Sequence, residues 1–180
     1  MLKGLFKART LPNAPLAMIG AKAGDHVLVV GTRYPAVAAE LGRATGLNGQ
    51  TMVVGAEADR AVIERAAAEA GTLIDFQPEE ATAIGSADHP FDIVVSMRPL
   101  GELSDADRTR FITDVFGAVR PGGRVIVIDG GSNPGLLWRV PTRAVDSPMV
   151  LNLLAAAGGL AVRTLGTIDH FTYHEARRNR

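Results

Sequence analysis

A chain of 180 residues with 47% hydrophobic side chains is long enough to bury a substantial core, and it fits one domain better than two. Nineteen Lys and Arg balance nineteen Asp and Glu, so no overall field favours nucleic acid, membrane or acidic partners, and a small-molecule site becomes the default. The absence of cysteine excludes disulfides, thiolate zinc sites and cysteine nucleophiles, and it is compatible with a reducing cytoplasm, the location we expect.

The opening MLKGLFKAR is basic and acid-poor. It reads as part of an N-terminal helix or arm over residues 1–22, lying on a single domain that spans 23–180. No uninterrupted apolar run reaches the length of a membrane span, and no signal-peptide core with a cleavage pattern is visible. HVLVV, with Val27 to Val30 after His26, has the continuous apolar pattern of a strand buried on both faces of a parallel sheet. Pro35 to Thr45 follows as a helix, with Val37, Ala38 and Leu41 on one stripe and Pro35 in the first turn, where its missing N–H costs nothing. Gly46 to Gly49 closes it.

The pattern then repeats. Thr51 to Ala56 predicts a second strand, and a second helix begins at Asp59, a suitable N-cap, and stops at Gly71. LIDFQ is a third strand and FDIVVSM a fourth. A helix then starts from Ser104, with Asp107 three residues on, and GRVIVID forms a fifth strand after a Pro-Gly-Gly turn. Such alternation predicts a doubly wound α/β fold with a mostly parallel sheet and helices on both faces. The stretch 130–148 is too long and too rich in Gly and Pro for an ordinary connection, so it reads as a functional loop or lid. Its Trp138, with Leu136, Leu137 and Val140, suits either a hydrophobic lid or a homodimer contact. Met149 to Ala157 is a last helix, and LAVRTLGTI and HFTYHEARR pair as an antiparallel hairpin around Gly166 and Asp169. His170 and His174 are four apart, a metal-ligand spacing only on a helix; the segment reads as a strand, so no metal site is expected.

The order AGDHVLVVG, VVGAEAD, DFQPEEATAI, FDIVVSMRPLGEL, VFGAVRPGGRVIVID resembles the class I S-adenosylmethionine-dependent methyltransferases, in particular the small-molecule branch that includes ubiquinone and menaquinone methylases. The resemblance runs from about Ala23 to Arg178. It implies a Rossmann-like sheet of seven strands that ends in the antiparallel hairpin, with S-adenosylmethionine (SAM) as cofactor and a small-molecule acceptor. By the same resemblance Glu57, ending the second strand, would hold the ribose hydroxyls, with Ala58 beside it. Glu80 and Ala81 would meet the adenine, Ser96 would lie under the methyl donor, and Gly31, Thr32 and Arg33 would form the first turn. The match departs from the family at that turn, where Val29, Arg33 and Pro35 stand in place of an acid and two glycines. Arg33 brings a long side chain and Pro35 removes an N–H donor.

Two functional readings follow. One is a SAM-dependent transferase, in which the protein mainly positions and desolvates the reactants and needs no fixed catalytic residue. The other is a non-catalytic methyltransferase-like module, its first crevice plugged by Arg33, that serves as a binding or regulatory platform. An NAD-dependent dehydrogenase fits less well, because the G-x-G-x-x-G spacing is missing.

Overall fold

The computed structural model describes residues 14–78, 84, 91–98, 100–130, 132–134, 139–141, 145–168 and 171–180. Five strands run parallel or extend the parallel set: β1 (His26–Val30), β2 (Gln50–Gly55), β3 (Asp75–Pro78), β4 (Phe91–Ser96) and β5 (Val119–Gly130). Between them lie α2 (Pro35–Thr45), α3 (Arg60–Ala70) and α4 (Asp105–Ala118), and a short α1 (Ala14–Ile19) precedes β1. After β5 come a two-stranded ribbon, β6 (Ser132–Pro134) with β7 (Arg139–Pro141), then α5 (Ser147–Ala156) and the antiparallel pair β8 (Leu160–Ile168) and β9 (Phe171–Arg177). The main sheet has seven strands in the order β3-β2-β1-β4-β5-β9-β8, with β9 running opposite to both of its neighbours, β5 and β8. This is the doubly wound sheet with a closing hairpin that the sequence predicts. Among the described residues no helix is long and apolar enough to cross a membrane.

β1 is central because every residue after His26 is buried, and its alternation feeds two cores. Leu28 and Val30 join Val94, Val125 and Val127 beneath α4 and α5. Val27 and Val29 point the other way, with Val95, Ile126 and Ile128 beneath α2 and Ile63 of α3. The predicted stripe on α2, Val37, Ala38 and Leu41, is the buried face of that helix. Leu41 is fully buried, so truncating it to Ala would cost about 2–5 kcal/mol. α4 begins as its sequence predicts: the Ser104 hydroxyl accepts from Asp107 N–H at 3.2 Å and donates to the Asp107 carboxylate at 2.6 Å.

Three expectations change. β5 starts at Val119 rather than after the Pro-Gly-Gly segment, with the register against β4 broken between Phe91 and Ile93. Gly166 is not at the hairpin turn. It sits inside β8 opposite Tyr173, where a Cβ would come within 3.2 Å of the Met18 methyl, the flexible end of a side chain from α1. The turn itself, with Asp169, lies outside the described residues. The segment expected as a long irregular loop contains the β6–β7 ribbon; Trp138 lies outside the described residues.

Candidate functional site

In an open α/β sheet, ligands settle beyond the carboxyl ends of the strands, where the order reverses. Here that point is between β1 and β4, and a crevice of about 340 Å3 opens there, lined by Gly31, Thr32, Arg33, Asp59, Arg98 and Glu102 among others. A hollow of about 430 Å3 between Gly46, Gly49, Gly71 and Leu73 lies at the amino ends of β2 and β3. It lacks the converging strand ends that make the first a site.

Gly31 shapes the crevice wall. Its φ is +101°, its N–H donates to Val54 O at 2.8 Å, and a Cβ on it would sit 3.2 Å from Arg98 N and 3.3 Å from the Met97 carbonyl carbon. Only glycine accepts that conformation and that approach without strain. Thr32 comes next, and its hydroxyl donates to the Asp59 carboxylate at 2.5 Å, tying the turn after β1 to the turn after β2. Its methyl group lies over Gly55, where a Cβ would be only 2.2 Å away. Asp59 therefore occupies the N-cap position of α3, as its sequence predicts, but its side chain makes no cap bond; the carboxylate is drawn to Thr32.

Arg33 lines the crevice, and its guanidinium stacks 5.6 Å from the Tyr34 ring centre. Tyr34 in turn meets Phe171 edge-on at 4.8 Å, so the aromatic ring packs against the closing hairpin rather than into the crevice. Burial pushes the Tyr34 phenol up, Arg33 partly opposes it and the Asp129 carboxylate adds to it. Pro35 starts α2, where its ring fits the first turn. Pro35 is thus not among the residues that line the crevice, whereas Arg33 is.

Glu57 and Ala58 lie in a one-turn 3-10 helix, Glu57–Asp59, just after β2, and both are exposed. The Glu57 carboxylate is gripped by Arg60 through two bonds of 2.6 and 2.9 Å, and that contact holds it below the usual carboxylate range although desolvation opposes it. Arg60 also stacks 4.7 Å over Phe76. Ser96 ends β4, fully buried, with its side chain on the α4–α5 side of the sheet. Glu80 and Ala81 lie outside the described residues. The structure therefore brings Gly31, Thr32 and Arg33 together on the crevice, sets Glu57 and Ala58 at its outer edge, and turns Ser96 into the protein. Nothing in the linear pattern marks Arg98, Asp59 or Glu102 as lining residues; Arg98 follows β4 directly, and its guanidinium stacks 5.6 Å from Phe111.

A methyltransferase-domain family matches residues 27–123, more than half of the chain. No curated protein matches the sequence. Among solved structures, a SAM-dependent methyltransferase from Aquifex aeolicus superposes with a TM-score of 0.69 at 17% identity, covering 92% of this chain and 88% of that one. The apo form of the SAM-dependent methyltransferase SibL gives 0.66 at 21% identity, over 87% of this chain and 51% of that one. The cyclase SpnF gives 0.67 at 18% identity, over 93% of this chain and 79% of that one. The chain thus spans about half the length of SibL, and 53% of an O-methyltransferase family protein from Burkholderia thailandensis.

Proposed function

Since this chain belongs to the methyltransferase-domain family, we propose that it is a class I enzyme that transfers the methyl group of SAM to a small-molecule acceptor. The observation that carries the reading is the crevice at the carboxyl ends of β1, β2 and β4, which stays open although Arg33 and Pro35 replace two glycines of the family turn. Gly31 in its wall lets the turn after β1 pack against the Met97–Arg98 backbone that follows β4, which brings the two strand ends together around the crevice.

The cofactor supplies an electrophilic methyl on a sulfonium; the residues of this chain bind and orient. Gly31 and Thr32 give the floor of the turn, and Arg33 offers a guanidinium to a carboxylate. Glu57 would accept hydrogen bonds from both ribose hydroxyls in exchange for its exposed i,i+3 pair with Arg60, which contributes little. Ala58 lies beside it, and Glu80 and Ala81 receive the adenine. Ser96 is fully buried and does not line the crevice, so it would act only by packing behind it. The remaining contribution is geometric, since holding acceptor and donor in line and away from water lowers the barrier without a fixed catalytic group.

Calorimetric titration with SAM and with S-adenosylhomocysteine tests this. Micromolar binding is expected, and Glu57→Ala should weaken it by about tenfold or more through loss of charge-assisted bonds. No heat at millimolar ligand would leave the non-catalytic platform as the better reading.

A further inference from the structure

At the rim opposite the crevice, where β1, β4 and β5 begin and β9 ends, a hollow of about 410 Å3 is lined by Lys22, Arg120, Arg124 and Arg177 together with Asp25 and Asp92. Four cations thus face two carboxylates, in a chain whose formal net charge is zero. Gathered in one concavity with low-dielectric walls, such a surplus acts more strongly than the same charges would on a flat surface.

The carboxylates nearby are already committed. Asp25 accepts from the backbone N–H of Lys22 at 2.8 Å, and Asp92 accepts from the backbone N–H of His26 at 2.8 Å and from Arg120 Nε. Glu175 is engaged on both oxygens, Oε1 by Arg124 at 3.1 Å and Oε2 by Arg163 at 2.7 Å. Arg124 also donates to the carbonyls of Ile19 and Gly20. Among the described residues, the Lys22 ammonium and the Arg177 guanidinium have no hydrogen bond or ion pair. Arg120 bonds Asp92 through Nε alone, which leaves its two terminal nitrogens as donors.

Strand register sharpens the imbalance. Arg124 and Arg177 stand directly opposite each other in the antiparallel β5–β9 pair. Side chains so paired leave the same face with Cβ atoms about 5 Å apart, and like charges there are destabilising. Glu175, two residues before Arg177 on that face, is held by the other two arginines and does not relieve it. A local rule broken without an internal compensation marks a place where the compensation comes from outside the chain.

We propose that this hollow binds a phosphate group carried by a small molecule, with Arg177 and Lys22 as its principal cations and Arg120 as a third donor. A phosphomonoester or a diphosphate brings a charge of about −2 or more, which cancels the surplus, and oxygens that accept the fork of donors a guanidinium presents. A nucleic-acid backbone fits less well, because the chain as a whole has no net charge to hold a polyanion and the hollow is closed in rather than extended. The site is separate from the crevice: the five residues of β1 hold the two apart by roughly 15 Å.

Isothermal titration of the full chain with pyrophosphate and with inorganic phosphate, against sodium chloride at matched ionic strength, tests this. Pyrophosphate is expected to bind saturably, and Arg177→Gln and Lys22→Gln each to weaken it by about tenfold through loss of a charge-assisted bond. Both side chains are exposed, so neither change should lower the melting temperature of the anion-free protein, and Arg177→Gln should raise it slightly by removing the repulsion with Arg124. Arg98→Gln, at the crevice, should leave the affinity within about twofold of the parent. No saturable heat with pyrophosphate at millimolar concentration, an affinity unchanged in both variants, or a loss in Arg98→Gln instead would overturn the assignment. Arg177-dependent binding of a polyadenylate oligonucleotide where pyrophosphate does not bind would overturn it in favour of a nucleic-acid face.

Discussion

Gly55→Ala probes the clasp over the crevice. Gly55 does not have a positive φ, so the backbone itself tolerates alanine. The obstacle is one methyl: the new Cβ would lie 2.2 Å from Thr32 Cγ2, while the other near atoms, Thr32 Cβ and Oγ1 at 3.4 and 3.5 Å, are at ordinary contact. Thr32 cannot rotate freely to relieve it, since its hydroxyl is bound to Asp59. Overpacking costs about 1–3 kcal/mol, and a lost hydrogen bond to a carboxylate adds a comparable amount. Gly55→Ala should therefore destabilise by about 2–4 kcal/mol. In a Thr32→Ser background the clashing methyl is gone and the hydroxyl remains. There the same change should be near neutral, or stabilising by a few tenths of a kcal/mol through the unfolded chain. Urea denaturation of the four proteins of the cycle gives the coupling energy, expected to exceed about 1.5 kcal/mol. Equal costs of Gly55→Ala in both backgrounds would refute the argument that Thr32 is wedged between Gly55 and Asp59.

Ser104→Ala removes the cap of α4 and should cost about 1 kcal/mol by denaturant midpoint, while Ser104→Asp should restore most of it. Glu175 is buried, which pushes its carboxyl up, but Arg163 at 2.7 Å and Arg124 at 3.1 Å overcome this and hold it below its usual range. Its folded value is thus depressed, so its contribution is present above the unfolded carboxylate value and disappears as pH falls through the folded one. Glu175→Gln should cost about 3 kcal/mol at pH 7 and flatten the acid limb of a stability-versus-pH curve. Burial lowers His174, outweighing the Asp129 carboxylate. The unfolded chain then binds the extra proton first, and stability should fall as pH drops through about 6.5 and below, a slope that His174→Gln removes.

The strands and helices that carry the sheet were readable because each obeys a local rule. A run buried on both faces such as VLVV has few alternatives to a central strand, and Pro35 with the Val37–Leu41 stripe fixes α2 within its observed limits. What escaped depends on partners distant in the chain. Asp59 is a good N-cap by type, yet Thr32, 27 residues earlier, outcompetes the helix N–H groups for its carboxylate. Gly166 looks like turn punctuation, yet it lies inside β8 opposite Tyr173, where the pairing register shifts. Glu57 was legible as the acid after β2, whereas its ion pair with Arg60, three residues on, is a local contact the i,i+3 rule also allows. The neighbours of His174 cannot be read from spacing at all, since β9 enters the sheet between β5 and β8 and brings it beside Val127.

Arg124 gives the molecule a further property. From β5 it donates to the carbonyls of Ile19 at 2.7 Å and Gly20 at 3.2 Å, at the end of α1, and it pairs with Glu175 on β9. One guanidinium thus latches the earliest described helix to the latest strand. Peeling β9 away would leave the guanidinium without its carboxylate, whereas releasing α1 costs it only two neutral carbonyl acceptors, so α1 should detach more readily than the hairpin.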